Sequence, residues 1–213
     1  MLTLTSFEKS FGAKLILEIP DLTFQKGIQW IKGRNGSGKS TLFNCLAGLS
    51  PYQGNIILNG IDLRKSPVEY KLKVNFSESE PLFPEFLTGT DLIKFYSKLK
   101  KSSPAQSSEL AALLGVSTYA DEPCGTYSSG MMKKLSILLV FLGSPELIIL
   151  DEPLITLDKE AQQIVSELIK NKVEEGVSFL FATHQDFENA LIIPTQSYLV
   201  SDQSISVIHE VNQ

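Results

Sequence analysis

Cysteine is nearly absent from this 213-residue chain, which holds only Cys45 and Cys124. Two thiols cannot build a disulfide framework, so a packed core must hold the fold, and both read as reduced, small core residues of a cytosolic protein. Long apolar runs are missing as well. The greasiest stretch, residues 135–150, is interrupted by Gly143, Ser144, Pro145 and Glu146, and neither half approaches the roughly 20 apolar residues that span a bilayer. Residues 1–9 contain no basic stretch leading into an apolar run, so no signal peptide is expected. There is no excess of positive charge: the net charge is −5 and the pI about 5.2, which gives no sign of a nucleic-acid partner. Arginine is limited to Arg34 and Arg64, too few for the arginine-rich lid of a phosphate-loop small-molecule kinase. Internal repeats and low-complexity tracts are also lacking.

Hydrophobic residues make up 43% of the chain and charged residues 20%, the balance of an ordinary globular protein with one sizeable core or a core and a smaller subdomain. The stretch Gly33-Arg34-Asn35-Gly36-Ser37-Gly38-Lys39-Ser40-Thr41 has the spacing of a phosphate-binding loop. Glycines let successive backbone N–H groups converge on one anion. The helix that follows adds unpaired donors and partial positive charge at its N-terminus. Lys39 is placed to reach the β- and γ-phosphates of a nucleotide, and the Ser40 hydroxyl to ligate Mg²⁺. A short apolar run at residues 27–32 reads as the strand before the loop, and residues 42–48 as the helix after it.

Around this motif, residues 1–5, 13–19 and 55–60 read as further strands, the last closed by Asn59-Gly60. Residues 77–84 are polar and proline-marked and read as a loop. Helical spacing follows at 90–99 and 109–114, so that residues 85 to about 142 look all-helical. Residues 147–151 form an apolar strand ending in acid, 159–175 an amphipathic helix stopped by Gly176, 177–183 another buried strand, and 198–208 a C-terminal hairpin. Apolar strands alternating with helices imply an α/β fold whose parallel sheet is covered on both faces. The expected division is one domain over 1–213. Residues 1–76 and 145–213 form a core with an antiparallel β subdomain, and residues 77–144 an inserted helical subdomain.

Asp151 and Glu152 stand where a buried strand ends, the place at which parallel sheets bind ligands. Asp151 is suited to hold Mg²⁺, and Glu152 to orient or deprotonate a water attacking the γ-phosphate. His184 ends the next apolar strand, within reach of the same water.

Over its whole length the chain resembles the nucleotide-binding ATPase subunit of ABC transporters, of the bacterial exporter type. Leu150-Asp151-Glu152-Pro153 resembles the family's Walker B motif and catalytic glutamate, and residues 154–158 its D-loop. Tyr127-Ser128-Ser129-Gly130-Met131 lies where the family has its Leu-Ser-Gly-Gly-Gln signature. Ser129 replaces the first glycine and Met131 the glutamine. The resemblance implies a P-loop NTPase (RecA-like) core that binds ATP and Mg²⁺ and dimerises head-to-tail. Ser128, Ser129 and Gly130 of one copy, with Asp158, would close over the ATP held by residues 33–41 of the other. Catalysis is assigned to Lys39, Glu152 and His184. Phe11 falls where the family stacks an aromatic on adenine. Glu78 falls where it usually has the glutamine that links Mg²⁺ to a transmembrane permease, with Glu80 as the other register. A cytoplasmic protein held on the inner face of the membrane by its permease is the implied setting. The stretch between Lys39 and Ser128 is too short for the heptad arms of DNA-repair relatives, and there is one domain where translation-factor relatives fuse two. A soluble ABC-type ATPase acting with non-membrane partners in regulation or cofactor assembly stays open.

Overall fold

A computed structural model of the chain describes residues 1–183 and 192–208. The chain opens with two long antiparallel strands, β1 (Leu2–Phe11) and β2 (Lys14–Phe24), and then runs through β3 (Ile28–Lys32) into α1 (Lys39–Leu46). Strand β4 (Gln53–Leu58) turns at Asn59-Gly60 into the short β5 (Ile61–Asp62). Helix α2 (Pro67–Lys73) and strand β6 (Val74–Ser77) come next, followed by α3 (Gly89–Lys100), α4 (Pro104–Leu113) and α5 (Ser129–Val140). The chain returns through β7 (Leu147–Asp151), α6 (Lys159–Glu174), β8 (Ser178–Ala182), β9 (Gln196–Ser201) and β10 (Ser204–Ile208).

Two sheets result. One is antiparallel with the order β2-β1-β4-β5; the other has six strands in the order β10-β9-β3-β8-β7-β6, all parallel but for the edge strand β10. Strand alternation divides the interior in two. From β7, Ile148 and Leu150 join a core with Leu135 and Leu138 of α5, Val165 and Ile169 of α6, and Leu92 of α3. Leu147 and Ile149 point the other way, into a core with Leu42, Phe43 and Leu46 of α1 and Leu4, Phe7 and Ile56 of the antiparallel sheet. Every residue of β7 is buried, which explains its unbroken apolar run.

The helical segment is well capped. Thr88 and Asp91 form a reciprocal capping box on α3, and the Ser103 hydroxyl accepts from Gln106 N at the start of α4, with Pro104 at the first helical position. That cap starts α4 five residues before the 109–114 helix expected from sequence. The short strand β5, helix α2 and strand β6 went unanticipated. Helix α2 is only 7 residues long and buries just Tyr70, so no apolar stripe announces it. Strand β6 buries Asn75 and Ser77 beside Val74, and its polar composition reads as loop. Ser77, expected to open the helical insert, is therefore the last residue of a core strand.

Candidate nucleotide site

Loop 33–38 leaves β3 at the C-terminal end of the parallel sheet and feeds α1. Three of its glycines take positive φ, Gly33 at 154°, Gly36 at 77° and Gly38 at 108°. At Gly33 space is decisive too, because a Cβ there would lie 2.6 Å from the Val200 carbonyl oxygen. Lys39 is buried, and its ammonium donates to the carbonyls of Gly33 at 2.7 Å and Arg34 at 3.1 Å. The cation thus lies against its own loop. Burial lowers its pKa, opposed by the nearby Asp151 and Glu152 carboxylates.

The next residue makes the central contact. The Ser40 hydroxyl donates to Asp151 Oδ2 at 2.6 Å, joining the start of α1 to the end of β7 across 111 residues. Glu152 follows with only 8% of its surface exposed and a left-handed φ of 47°, a conformation costing a non-glycine residue about 1–2 kcal/mol. Its N–H is held by the Ala182 carbonyl at 2.8 Å, at the end of β8. Ser40 and Asp151 offer two hard oxygens in contact, a donor set that suits Mg²⁺, which takes one or two protein oxygens and completes its shell with phosphate and water. Among the described residues no cluster of three or more His, Cys, Asp or Glu side chains is built to cage a metal alone.

The signature-like segment lies at the N-terminus of α5. Ser128 caps the helix, its hydroxyl accepting from Met131 N at 3.2 Å. Ser129 is the first helical residue, and a Cβ on Gly130 would lie 3.0 Å from the Thr156 carbonyl oxygen. Tyr127 and Tyr119 brace the segment edge to face at 4.9 Å between centroids, and the Tyr119 hydroxyl donates to the Met131 carbonyl. Asp158 caps α6 through Ala161 N at 2.8 Å and accepts from the Lys134 ammonium at 3.0 Å. These bonds hold its carboxyl below the usual carboxylate range. Ser128, Ser129, Gly130, Thr156 and Asp158 line one hollow of about 500 Å³, to which the phosphate loop contributes nothing.

Phe11 stands at the β1–β2 turn with 57% of its surface exposed and the Lys9 ammonium 4.2 Å from its ring centroid. Glu78 follows β6 and is exposed. Asn35, Gly36 and Thr41 complete the loop in place. His184 lies outside the described residues. Sequence reasoning passed over Lys133. It lies in the helix that continues from the signature-like segment and is given no role by the sequence, yet it is 1% exposed and donates to the carbonyls of Glu78, Ser79 and Asp151.

A glycine-rich loop between strand and helix, met by a strand-end carboxylate, defines a P-loop NTPase. The antiparallel sheet, the helical segment and the signature-like helix start narrow it to the ATP-binding cassette architecture. Residues 17–155 match the family model described as ABC transporter, and the chain belongs to that family. Among curated proteins it is 27% identical over 190 residues to the linearmycin resistance ATP-binding protein LnrL of Bacillus subtilis (strain 168), over 86% of this chain and 61% of that one. It is 30% identical over 196 residues to the ABC transporter ATP-binding protein NatA of the same organism, over 86% and 79%. The chain thus spans under two thirds of LnrL. Among solved structures, an ATP-binding subunit of an ABC transporter superposes with a TM-score of 0.87 at 23% identity, over 98% of this chain and 90% of that one. The ATP-binding cassette MJ0796, dimeric and bound to ADP and Pi in a post-hydrolysis state, superposes with a TM-score of 0.81 at 18% identity over the full length of both. At these identities the two structures speak to the fold.

Proposed function

We propose that this chain is the ATP-binding and ATP-hydrolysing subunit of an ABC transporter, working as a head-to-tail pair on a separate membrane permease. The observation that carries the reading is the 2.6 Å bond between Ser40 and Asp151, flanked by buried Lys39 and Glu152. The loop N–H groups and the N-terminus of α1 receive the phosphates, and Lys39 exchanges its loop carbonyls for phosphate oxygens. Ser40 and Asp151 would hold Mg²⁺, which would supply charge neutralisation to the bound phosphates. Glu152 would orient and deprotonate the attacking water, a task His184 is assigned to share, and Phe11 would stack on adenine. The hollow formed by Ser128, Ser129, Gly130 and Asp158 is separate from the phosphate loop of the same chain. That separation favours a second copy supplying it across the interface.

The permease reading rests on a groove of about 460 Å³ between α2, β6, α3 and α5, lined by Leu49, Val68, Leu82, Tyr96 and Leu99 with Glu78 at its edge. Leu82 is 89% exposed and Val68 75%, an apolar surface suited to a short helix of a partner. No described helix is long and apolar enough to cross a membrane. The protein in this reading sits on the inner face of the cell membrane through its permease, with the helical subdomain that follows β6 meeting it. The test is Mg²⁺-dependent ATP hydrolysis by the purified chain and by Asp151→Asn. Activity in the parent and at least a hundredfold loss in the variant support the reading. A parent chain with neither ATP binding nor hydrolysis overturns it.

A further inference from the structure

Lys133 is a buried cation, 1% exposed, that the mechanism above leaves unused. It lies one turn into α5, just past the Ser128–Gly130 segment. Its three ammonium hydrogens meet three backbone carbonyls: Glu78 at 2.9 Å, Ser79 at 3.1 Å and Asp151 at 3.2 Å. Two acceptors belong to the loop after β6, and the third to the end of β7. A lysine on a helix surface ordinarily extends into water, and burying its charge costs several kcal/mol unless its hydrogens are all taken up. Here that cost is borne at the point where three separately encoded segments converge. The burial is strong enough to pull the pKa down to about 8, against the raising effect of Asp151 and Glu152. A second buried bond runs along the same seam, Ser77 Oγ to Ser136 Oγ at 2.8 Å, so α5 is tied to the base of the Glu78 loop at two levels.

We propose that Lys133 is a positioning residue that locks the Glu78 loop and the Asp151 strand end to the helix beginning at Ser128. The consequence follows from which segments it joins. Asp151 serves the nucleotide held by its own chain, whereas Ser128–Gly130 serves the nucleotide of the second copy. The Glu78 loop borders the apolar groove. The ammonium is therefore the direct link between one chain's two nucleotide-facing surfaces and its partner-facing groove. All the acceptors are backbone carbonyls, so no side-chain change at Glu78 or Ser79 reproduces its removal. The inference rests on the proposed ATPase reading, and the parent chain's own turnover tests that reading separately.

The experiment compares the parent chain with Lys133→Met, which keeps the length and apolar stem, and Lys133→Arg, which keeps a cation with several donors. ATP affinity is read by titration with a fluorescent ATP analogue, turnover by phosphate release, and folding by thermal melting. The expected result is a split: kcat falls at least tenfold in Lys133→Met while the dissociation constant stays within about threefold, and Lys133→Arg recovers at least a third of kcat. Should Lys133→Met fail to fold, Lys133→Gln, which retains two N–H donors, takes its place with the same split expected. A folded variant with unchanged kcat overturns the proposal. So does a loss of kcat and affinity in step with melting temperature, which is what a merely structural lysine gives. A parent chain without turnover overturns the ATPase reading itself, and the proposal with it.

Discussion

Replacing Asn75 with alanine removes two hydrogen bonds from the C-terminus of α5. Asn75 is buried in β6, and its amide donates to the carbonyls of Val140 at 2.7 Å and Leu142 at 3.0 Å. A helix end leaves its last carbonyls without intrahelical partners, and this one lies in the interior. A second amide, Gln106 of α4, donates to the Phe141 and Gly143 carbonyls from the other side. Each Asn75 bond contributes about 1 kcal/mol net, and each buried carbonyl left unpaired adds up to about 2 kcal/mol more. Relief of the unpaired Asn75 Oδ1 offsets about 1 kcal/mol. The expected loss is about 1–5 kcal/mol, or roughly 2–20 °C in melting temperature for a chain of this size. Urea unfolding followed by far-UV circular dichroism reads it as a lower midpoint at unchanged slope. Asn75→Asp, which has no donor and adds a buried charge, should cost more than the alanine. An alanine variant within about 0.5 kcal/mol of the parent would refute this account of the α5 terminus.

Further tests address the loop and a half-buried lysine. Gly33→Ala should abolish nucleotide binding and cost at least about 3 kcal/mol of stability, because its Cβ meets the Val200 carbonyl at 2.6 Å with φ at 154°; a variant that melts and binds ATP like the parent contradicts this. Lys100 donates to the Lys71 and Val74 carbonyls, and burial lowers its pKa to about 8. Between pH 8 and about 10.4, the ordinary lysine pKa, the unfolded chain holds a proton that the folded chain has released, so stability rises with pH there. Relative to Lys100→Met, the parent should gain somewhat under ~1 kcal/mol per pH unit across that window and nothing below it. Urea unfolding at pH 7, 8, 9 and 10 decides, and a flat or falling difference is the contrary result.

Much of this molecule was legible in the sequence, because its chemistry is written in contiguous stretches. The 33–41 loop, the β7 run into Asp151-Glu152 and the helix after Ser128 each carry their meaning locally. The parallel sheet and the helical segment follow from periodicity and punctuation, and the antiparallel subdomain from the family resemblance, while the strand order is not legible at all. Other features depend on what lies across space. Strand β6 is polar because Asn75 and Ser77 bond to α5, so it does not resemble a core strand until α5 is placed beside it. The role of Lys133 is not legible because its three carbonyl partners are 18 to 55 residues away. Helix α2 is too short for periodicity to register. The left-handed backbone of Glu152, whose N–H is bonded to the end of β8, is announced by nothing in Asp-Glu-Pro.

The most direct measurement of the central claim is the behaviour of Glu152→Gln with ATP and Mg²⁺, followed by light scattering on a sizing column and by phosphate release. The variant keeps the phosphate loop, Ser40, Asp151 and the Ser128–Gly130 segment and loses only the base. It should retain ATP, shift from monomer to dimer when ATP is added, and release phosphate at least about a hundredfold more slowly than the parent. A variant that hydrolyses ATP at the parental rate, or that binds ATP and stays monomeric, would contradict the account.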